Sequence, residues 1–372
     1  MLRAGVILVL FAAAISSRAE SQLTDAQRST IAFESLSRLQ NVDLATDPAL
    51  KEAVYRLLDK VRGTDKFLEI VKQFKLKDCD PGLLNVALKA PGSETGVEAT
   101  RLVLSHKNSN LFKKSLESSD IKTAISTAEA LGDAAEKDAV GLLLPIAVDA
   151  NRETALRKAC IRALARTSDG ATALLELAKK GTLAEDLKFT ASTELNGAHW
   201  TNIKTEAAKV LPLPLASGSQ PLPTTVELLK MNTDSANGEK VFYRQLPGCA
   251  ACHTIHRKGG QVGPDLSEIG TKLAREAIIE AILEPSAGIS VGYETYNLDL
   301  KSGDDAYGLL VSETADDIAI KDSKGIVTHY KKSDVLNKRK LKTSIMPTGL
   351  QQGMTPQEFA DLVAFLSSLK KQ

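Results

Sequence analysis

The sequence predicts a mainly α chain of two differently built parts: an N-terminal array of helical hairpins, and a smaller C-terminal helical domain interrupted by a β-meander. Three observations predict it. From about residue 24 to residue 210 apolar side chains recur at the 3.6-residue period of helices packed on one face. Residues 211–224 hold four prolines and no charge, so backbone donors are missing, helix is disfavoured and an extended linker is expected. Beyond Pro285 the period changes to two, and a helical stripe returns only near the C-terminus. The expected organisation is a leader over 1–19, helical repeats over 20–210, a linker over 211–224 and a C-terminal domain over 225–372.

Composition sets bounds on function. A chain of 372 residues with 43% hydrophobic side chains is long enough for two or three globular units. Lys and Arg number 47 against 46 Asp and Glu, so there is no global basic field and no nucleic-acid partner is expected.

Residues 1–19 carry Arg3, an apolar run from Ala4 to Ile15, and Ser17-Arg18-Ala19, the small-x-small form of a signal-peptidase site. Cleavage near Ala19 would start the mature chain at Glu20 and deliver it to the periplasm or otherwise outside the cell. An uncleaved N-terminal anchor is the alternative. No later stretch approaches the roughly 20 consecutive apolar residues of a spanning helix, so no transmembrane span is expected in the mature chain.

In the helical part, Leu156, Ala159, Cys160, Ala163 and Leu164 make one face, and Ala171, Leu174, Leu175 and Ala178 make the next after Ser168-Asp169-Gly170. Ala124, Ile125 and Ala128 stand 35 positions before Ala159, Cys160 and Ala163, a spacing suited to stacked hairpins. The pattern resembles degenerate HEAT-type repeats, which act either as a spacer or as a protein-docking surface. His106, His199 and Trp200 have no second ligand or acid at informative spacing, so structural roles are expected. Cys79 and Cys160 are read either as a disulfide or as two free thiols.

The one segment whose residue types demand a particular chemistry is Cys249-Ala250-Ala251-Cys252-His253. C-x-x-C-H reads as covalent haem attachment: two thiols meet the two vinyl groups, and the adjacent histidine is carried beneath the iron. A redox dithiol would expect a βαβ context, and a structural zinc site needs four ligands; both remain as alternatives. Around the motif, Asp234 is placed to cap a helix through Gly238, Val241 and Phe242. Thr355-Pro356-Gln357-Glu358 is a capping box ahead of the stripe Phe359, Leu362, Val363, Leu366 and Leu369. A second axial ligand has to come from Met231, Met346, Met354, His256 or His329.

From about Ser235 onward the chain resembles the planctomycete-type haem-binding domain family, a branch of exported c-type cytochromes. The shared words are Ala236-x-Gly238 with Val241-Phe242, Cys249-x-x-Cys252-His253, Gly263-Pro264-Asp265-Leu266 with Ile269-Gly270, Ile282-Leu283-Glu284-Pro285-Ser286, Gly292-Tyr293, and Met346-Pro347 before Asp361-Leu362-Val363-Ala364-Phe365-Leu366. The likeness covers a little over a third of the chain. It implies a cytochrome c fold, one haem c with its iron, attachment through Cys249 and Cys252, and axial ligation by His253 and Met346. By similarity to class I cytochromes, Pro264 would offer its carbonyl to the other imidazole nitrogen of His253 and Gly238 would lie where the first and last helices cross. Members often carry a β-propeller dehydrogenase-like region; none is visible here, so dehydrogenase activity is not inherited.

Between about 293 and 335, Tyr296, Leu298 and Leu300, then Ala306 to Val311, then Ile318, Ile320, Ile326, Thr328 and Tyr330 alternate with polar residues and Asp/Gly turns. A meander of four or five strands inserted before the methionine loop is expected, loosely like SH3-like or Sm-like barrels. Lys331-Lys332 and the run Lys338 to Lys342 read as a solvated loop, or as a basic patch steering an acidic redox partner. The sequence therefore reads as an exported electron carrier in which no catalytic residue can be named. A haem redox enzyme or enzyme subunit, and a haem-bearing scaffold, are the alternatives.

Overall fold

The computed structural model describes residues 24–39, 42–213, 222–244 and 247–371. The leader expected over 1–19 and the middle of the proline-rich stretch, 214–221, lie outside the described residues. The architecture is mainly helical, 56%, with eighteen helices among the described residues and a small antiparallel sheet. Two compact units are present: residues 1–91 with 95–130, and residues 92–94 with 131–372.

The first unit holds α1 (Asp25–Ser37), α2 (Pro48–Lys60), α3 (Asp65–Phe74), α4 (Asp80–Lys89), α5 (Glu94–Ser105) and α6 (Ser109–Leu116). Each begins or ends for a local reason. Asp47 caps α2 by accepting from the Leu50 N–H at 3.0 Å, with Pro48 at the first helical position. Asp80 in the first turn of α4 is 1% exposed, and such a carboxylate survives burial only with partners. It has His106 Nδ1 at 2.7 Å and the Asn108 amide at 3.0 Å, so His106 has a structural role.

The division between the units falls inside α7 (Ile121–Ala134), after Ala130. The second unit continues with α8 (Val140–Val148), α9 (Thr154–Leu164), α10 (Ser168–Lys179), α11 (Glu185–Asn196) and α12 (Thr201–Val210). The expected inward face of α9 is buried at all five positions, from Leu156 to Leu164. Ser168-Asp169-Gly170 is not the connecting turn but the start of α10, because Thr167 takes the cap and accepts from the Gly170 N–H at 3.1 Å. Cys79 and Cys160 are free thiols.

After the proline-rich stretch come α13 (Thr225–Lys230) and α14 (Ser235–Tyr243), then the short α15 (Cys249–Cys252), a hairpin of β1 (Thr254–Ile255) and β2 (Lys258–Gly259), α16 (Ile269–Lys272) and α17 (Arg275–Leu283). The chain closes on α18 (Pro356–Ser368). Asp234 caps α14 at 2.9 Å from the Ala236 N–H, and Thr355 forms the anticipated box with Glu358. α14 and α18 make the most extensive pairing between elements. Gly238 allows it: a Cβ there would collide with the Asp361 carbonyl and stand 2.8 Å from Phe365 Cβ. The Asp361 carboxylate, 2% exposed, accepts from the Asp234 N–H, the Asn237 amide and the Gln357 amide, each at 2.8 Å.

Between α17 and α18 lies a five-stranded antiparallel sheet in the order β6-β5-β4-β3-β7. Its strands are β3 (Thr295–Leu300), β4 (Asp305–Glu313), β5 (Asp317–Lys321), β6 (Val327–Lys331) and β7 (Val335–Lys340). Leu298, Ala306, Ile318 and Ile320 form its core. The insertion thus runs past 335, and of the basic run Lys331, Lys338, Arg339 and Lys340 are strand rather than loop, while Lys332 and Lys342 are not. Lys338 and Lys332 bind Glu313 at 2.6 and 2.9 Å, Arg339 binds Asp299 at 2.7 Å, and Lys340 binds Glu294 at 3.1 Å. Three acids, Glu313, Asp299 and Glu294, thus pair four of the six cations and leave these residues with a net positive charge. No helix among the described residues is long and apolar enough to cross a membrane.

Candidate functional site

Gly248 opens the C-x-x-C-H turn in the left-handed region, φ 78°, and α15 is the single turn that follows. The His253 N–H donates to the Cys249 carbonyl at 3.0 Å, closing that turn and leaving the histidine extended beyond it. The chain then doubles back over its own motif. The Gly260 N–H donates to the Ala250 carbonyl at 2.8 Å, and the Val262 and Gly263 N–H groups donate to the Cys252 carbonyl at 3.0 and 2.8 Å. Three glycines permit this approach. A Cβ at Gly263 would stand 2.5 Å from His253 Cε1, and those of Gly259 and Gly260 would collide with the His253 and Ala251 carbonyls.

The fold brings Pro264 to the histidine, as the cytochrome likeness implies. The His253 Nδ1–H donates to the Pro264 carbonyl at 2.9 Å, which fixes the ring and the tautomer and leaves Nε2 as the nitrogen with a lone pair. Burial pushes the imidazole below its ordinary value although the Pro264 bond opposes this, so the neutral form is favoured. Burial also pushes the Cys249 thiol up to about 11 and raises Cys252. Those directions oppose the dithiol reading, which needs a thiol lowered towards neutrality. Cys252 Sγ lies 3.8 Å from the Ser323 carbonyl in the β5–β6 turn, a neighbour that sequence spacing could not announce.

The candidates for a second ligand now separate. Met354 is 2% exposed and packs in the hydrophobic core of the C-terminal helices, and Met231 packs against the same core. His329 on β6 has both ring nitrogens engaged, Nδ1 with Asp317 at 2.7 Å and Nε2 with Glu94 at 3.2 Å. His256 sits in the β1–β2 turn at φ 48° and is exposed. Met346 is half-buried in the segment between β7 and α18. Its N–H donates to Ser344 Oγ at 3.1 Å, and the Ser344 N–H donates to Ser286 Oγ at 3.0 Å.

These residues fit a covalently held haem. Two half-buried thiols, a neutral imidazole oriented through Nδ1 and Gly263 against its ring would offer attachment and one axial nitrogen, and Met346 on a separate loop would offer a soft thioether. Among the described residues no group of three or more His, Cys, Asp and Glu side chains gathers as a metal site, so nothing there supports the four-ligand zinc reading. No protein-family model matches the chain, and a search of curated proteins finds no match.

Proposed function

We propose that the chain is an exported mono-haem c-type cytochrome that carries electrons rather than transforming a substrate. On this reading Cys249 and Cys252 hold the haem, and His253 and Met346 are its axial ligands. The C-terminal helices make a cytochrome c domain with the sheet as an insertion, and residues 20–210 are HEAT-like. The observation that carries the proposal is the His253 Nδ1–H bond to the Pro264 carbonyl at 2.9 Å inside a C-x-x-C-H turn. The dithiol reading gives no role to a histidine ring covered by Gly263 and tied through Nδ1 to the Pro264 carbonyl.

When bound, the haem would supply one-electron chemistry with its potential set by ligands and burial. The chain's own residues divide the remaining work. Pro264 holds the ring angle, Gly263 lets the loop cover the imidazole, and the α14–α18 pair backs the motif through the core that Cys249 and Ala250 touch.

The test is covalency. Expressed in a periplasm with haem-maturation machinery, the protein should keep its haem through acid-acetone extraction, and the double variant Cys249→Ala with Cys252→Ala should lose it completely. Equal retention by the double variant refutes the attachment site.

A further inference from the structure

The loop that carries Met346 is anchored by parts of the chain far from it in sequence. The Tyr307 hydroxyl on β4 faces this loop, bonding Thr343 and lying 3.5 Å from the Ser344 carbonyl, while the Ser344 N–H is held by Ser286. The Tyr307 ring lies flat on the His199 imidazole, centroids 4.1 Å apart and planes 6° apart. His199 is itself fixed: its Nε2–H donates to Asp305 Oδ2 at 2.9 Å, and Trp200 packs on it at 4.0 Å between centroids. Two residues past Met346, Thr348 Oγ1 accepts from Lys204 Nζ at 3.2 Å. His199 and Trp200 belong to the corner between α11 and α12, and Lys204 to the first turn of α12.

We propose that this corner of the helical array positions the distal ligand. His199, pinned by Asp305 and backed by Trp200, is the platform for Tyr307; Tyr307 and Ser286 fix Ser344; and Ser344 fixes the backbone of Met346. The inference rests on the reading of Met346 as an axial ligand and gives the helical array a role that is neither spacer nor docking surface.

Such support is needed on physical grounds. The segment from Leu341 to Thr355 contains only the short 3-10 turn Leu350–Gly353, so ordering it costs conformational entropy that its own hydrogen bonds barely offset. The sheet inserted between α17 and α18 moves the loop's upstream end onto β7, so the C-terminal helices hold the segment at Gly353 and Met354 but give the Met346 end only the Ser286 bond. Packing from outside supplies the rest. His199 is a positioning residue that acts through Tyr307.

The experiment uses the haem-loaded full chain with His199→Ala, His199→Phe and Tyr307→Leu. Three readouts report the ligand: the red charge-transfer band of thioether-bound ferric haem, the midpoint potential, and the rate of carbon monoxide binding to the reduced protein. His199→Ala and Tyr307→Leu are expected to weaken the band, lower the potential and speed carbon monoxide binding about tenfold, equivalent to about 1.4 kcal/mol of loop opening. His199→Phe keeps a flat ring under Tyr307 and should restore most of the loss. Wild-type values in both truncations overturn the proposal. If the wild type itself lacks the band, the ligand reading fails instead, and hydrogen exchange of the full chain decides the positioning claim. Faster exchange over 343–348 in His199→Ala, with α14 and α18 unchanged, supports it; unchanged exchange there overturns it. Should His199→Ala not fold, Tyr307→Phe removes only the hydroxyl and carries the same exchange test.

Discussion

The C-x-x-C-H turn and the Met346 loop are built on opposite plans. The backbone of the turn is shaped by the chain between Gly248 and Pro264, through one helical turn, a short hairpin, three glycines and one carbonyl, with outside contacts at the side chains of Cys249, Ala250 and Cys252. Met346 stands 93 positions after His253 and is held by Ser286, Tyr307 and, one step further out, by His199. The first half of the site is a local motif and the second is a tertiary construction. A locally built half keeps its geometry when distant packing loosens, whereas the other half fails whenever any of several elements moves.

Perturbations can break or sharpen that contrast. The largest effect is expected from Gly238→Val, which forces the α14–α18 crossing apart. Overpacking against a backbone carbonyl should cost about 3 kcal/mol or more and unfold the C-terminal helices together with both halves, read as a fall in Tm and lost haem. Met346→Ala separates the halves: covalent haem should persist while the red charge-transfer band disappears and the potential falls. Met354→Ala should instead keep the band and lose about 2–5 kcal/mol of stability as a buried core deletion. If the band vanishes in Met354→Ala and survives in Met346→Ala, the ligand assignment is reversed.

Gly263→Ala targets the local half alone. A methyl 2.5 Å from the His253 ring should tilt the imidazole and cost about 1–3 kcal/mol, with His253 NMR or haem spectra shifted and exchange over 343–348 unchanged.

The smallest effect is expected at Arg244, whose guanidinium bonds both Glu358 oxygens at 2.5 and 3.1 Å and the Gly353 carbonyl at 2.8 Å. With Arg244 36% exposed, Arg244→Met should cost about 1 kcal/mol. Arg244 holds the Glu358 carboxyl below the usual carboxylate range, so the folded protein keeps it ionised after the unfolded chain has begun to protonate. The stabilisation is complete above about pH 5 and fades as pH falls through the depressed folded value. Denaturation midpoints of wild type and Glu358→Gln should converge on acidification; parallel curves would show that the pair contributes nothing.

How much of this was legible in the sequence follows the same division. Asp234, Thr355 and Gly238 announced helix starts and a crossing because caps and close approaches depend on residue type at one position. The period-2 strands were equally visible through Leu298, Ala306, Ile318 and Ile320. β7 was not, because Lys338-Arg339-Lys340 hides strand alternation beneath uniform charge that only acids on neighbouring strands explain. The β1–β2 hairpin was also hidden: its turn places His256 and Arg257 at φ 48° and 68°, positions where Asn-Gly would have been a signal. Tyr307 and His199 could not be found as a pair, since 108 positions separate two rings whose stacking exists only in the fold.

The row of cations on β7 has a consequence for solubility. β7 is an outermost strand, with β3 on one side and unpaired backbone donors and acceptors on the other. Such an edge is a template for a second chain to add its own strand. Asn337, Lys338, Arg339 and Lys340 place three positive charges in succession along it, so a second copy approaching edge to edge would bring like charges into register. The acids that bind these cations are on the protein's own β3, β4 and the segment before β3, and cannot serve the newcomer. The same residues that knit the sheet together internally therefore disfavour edge-to-edge addition of a second copy.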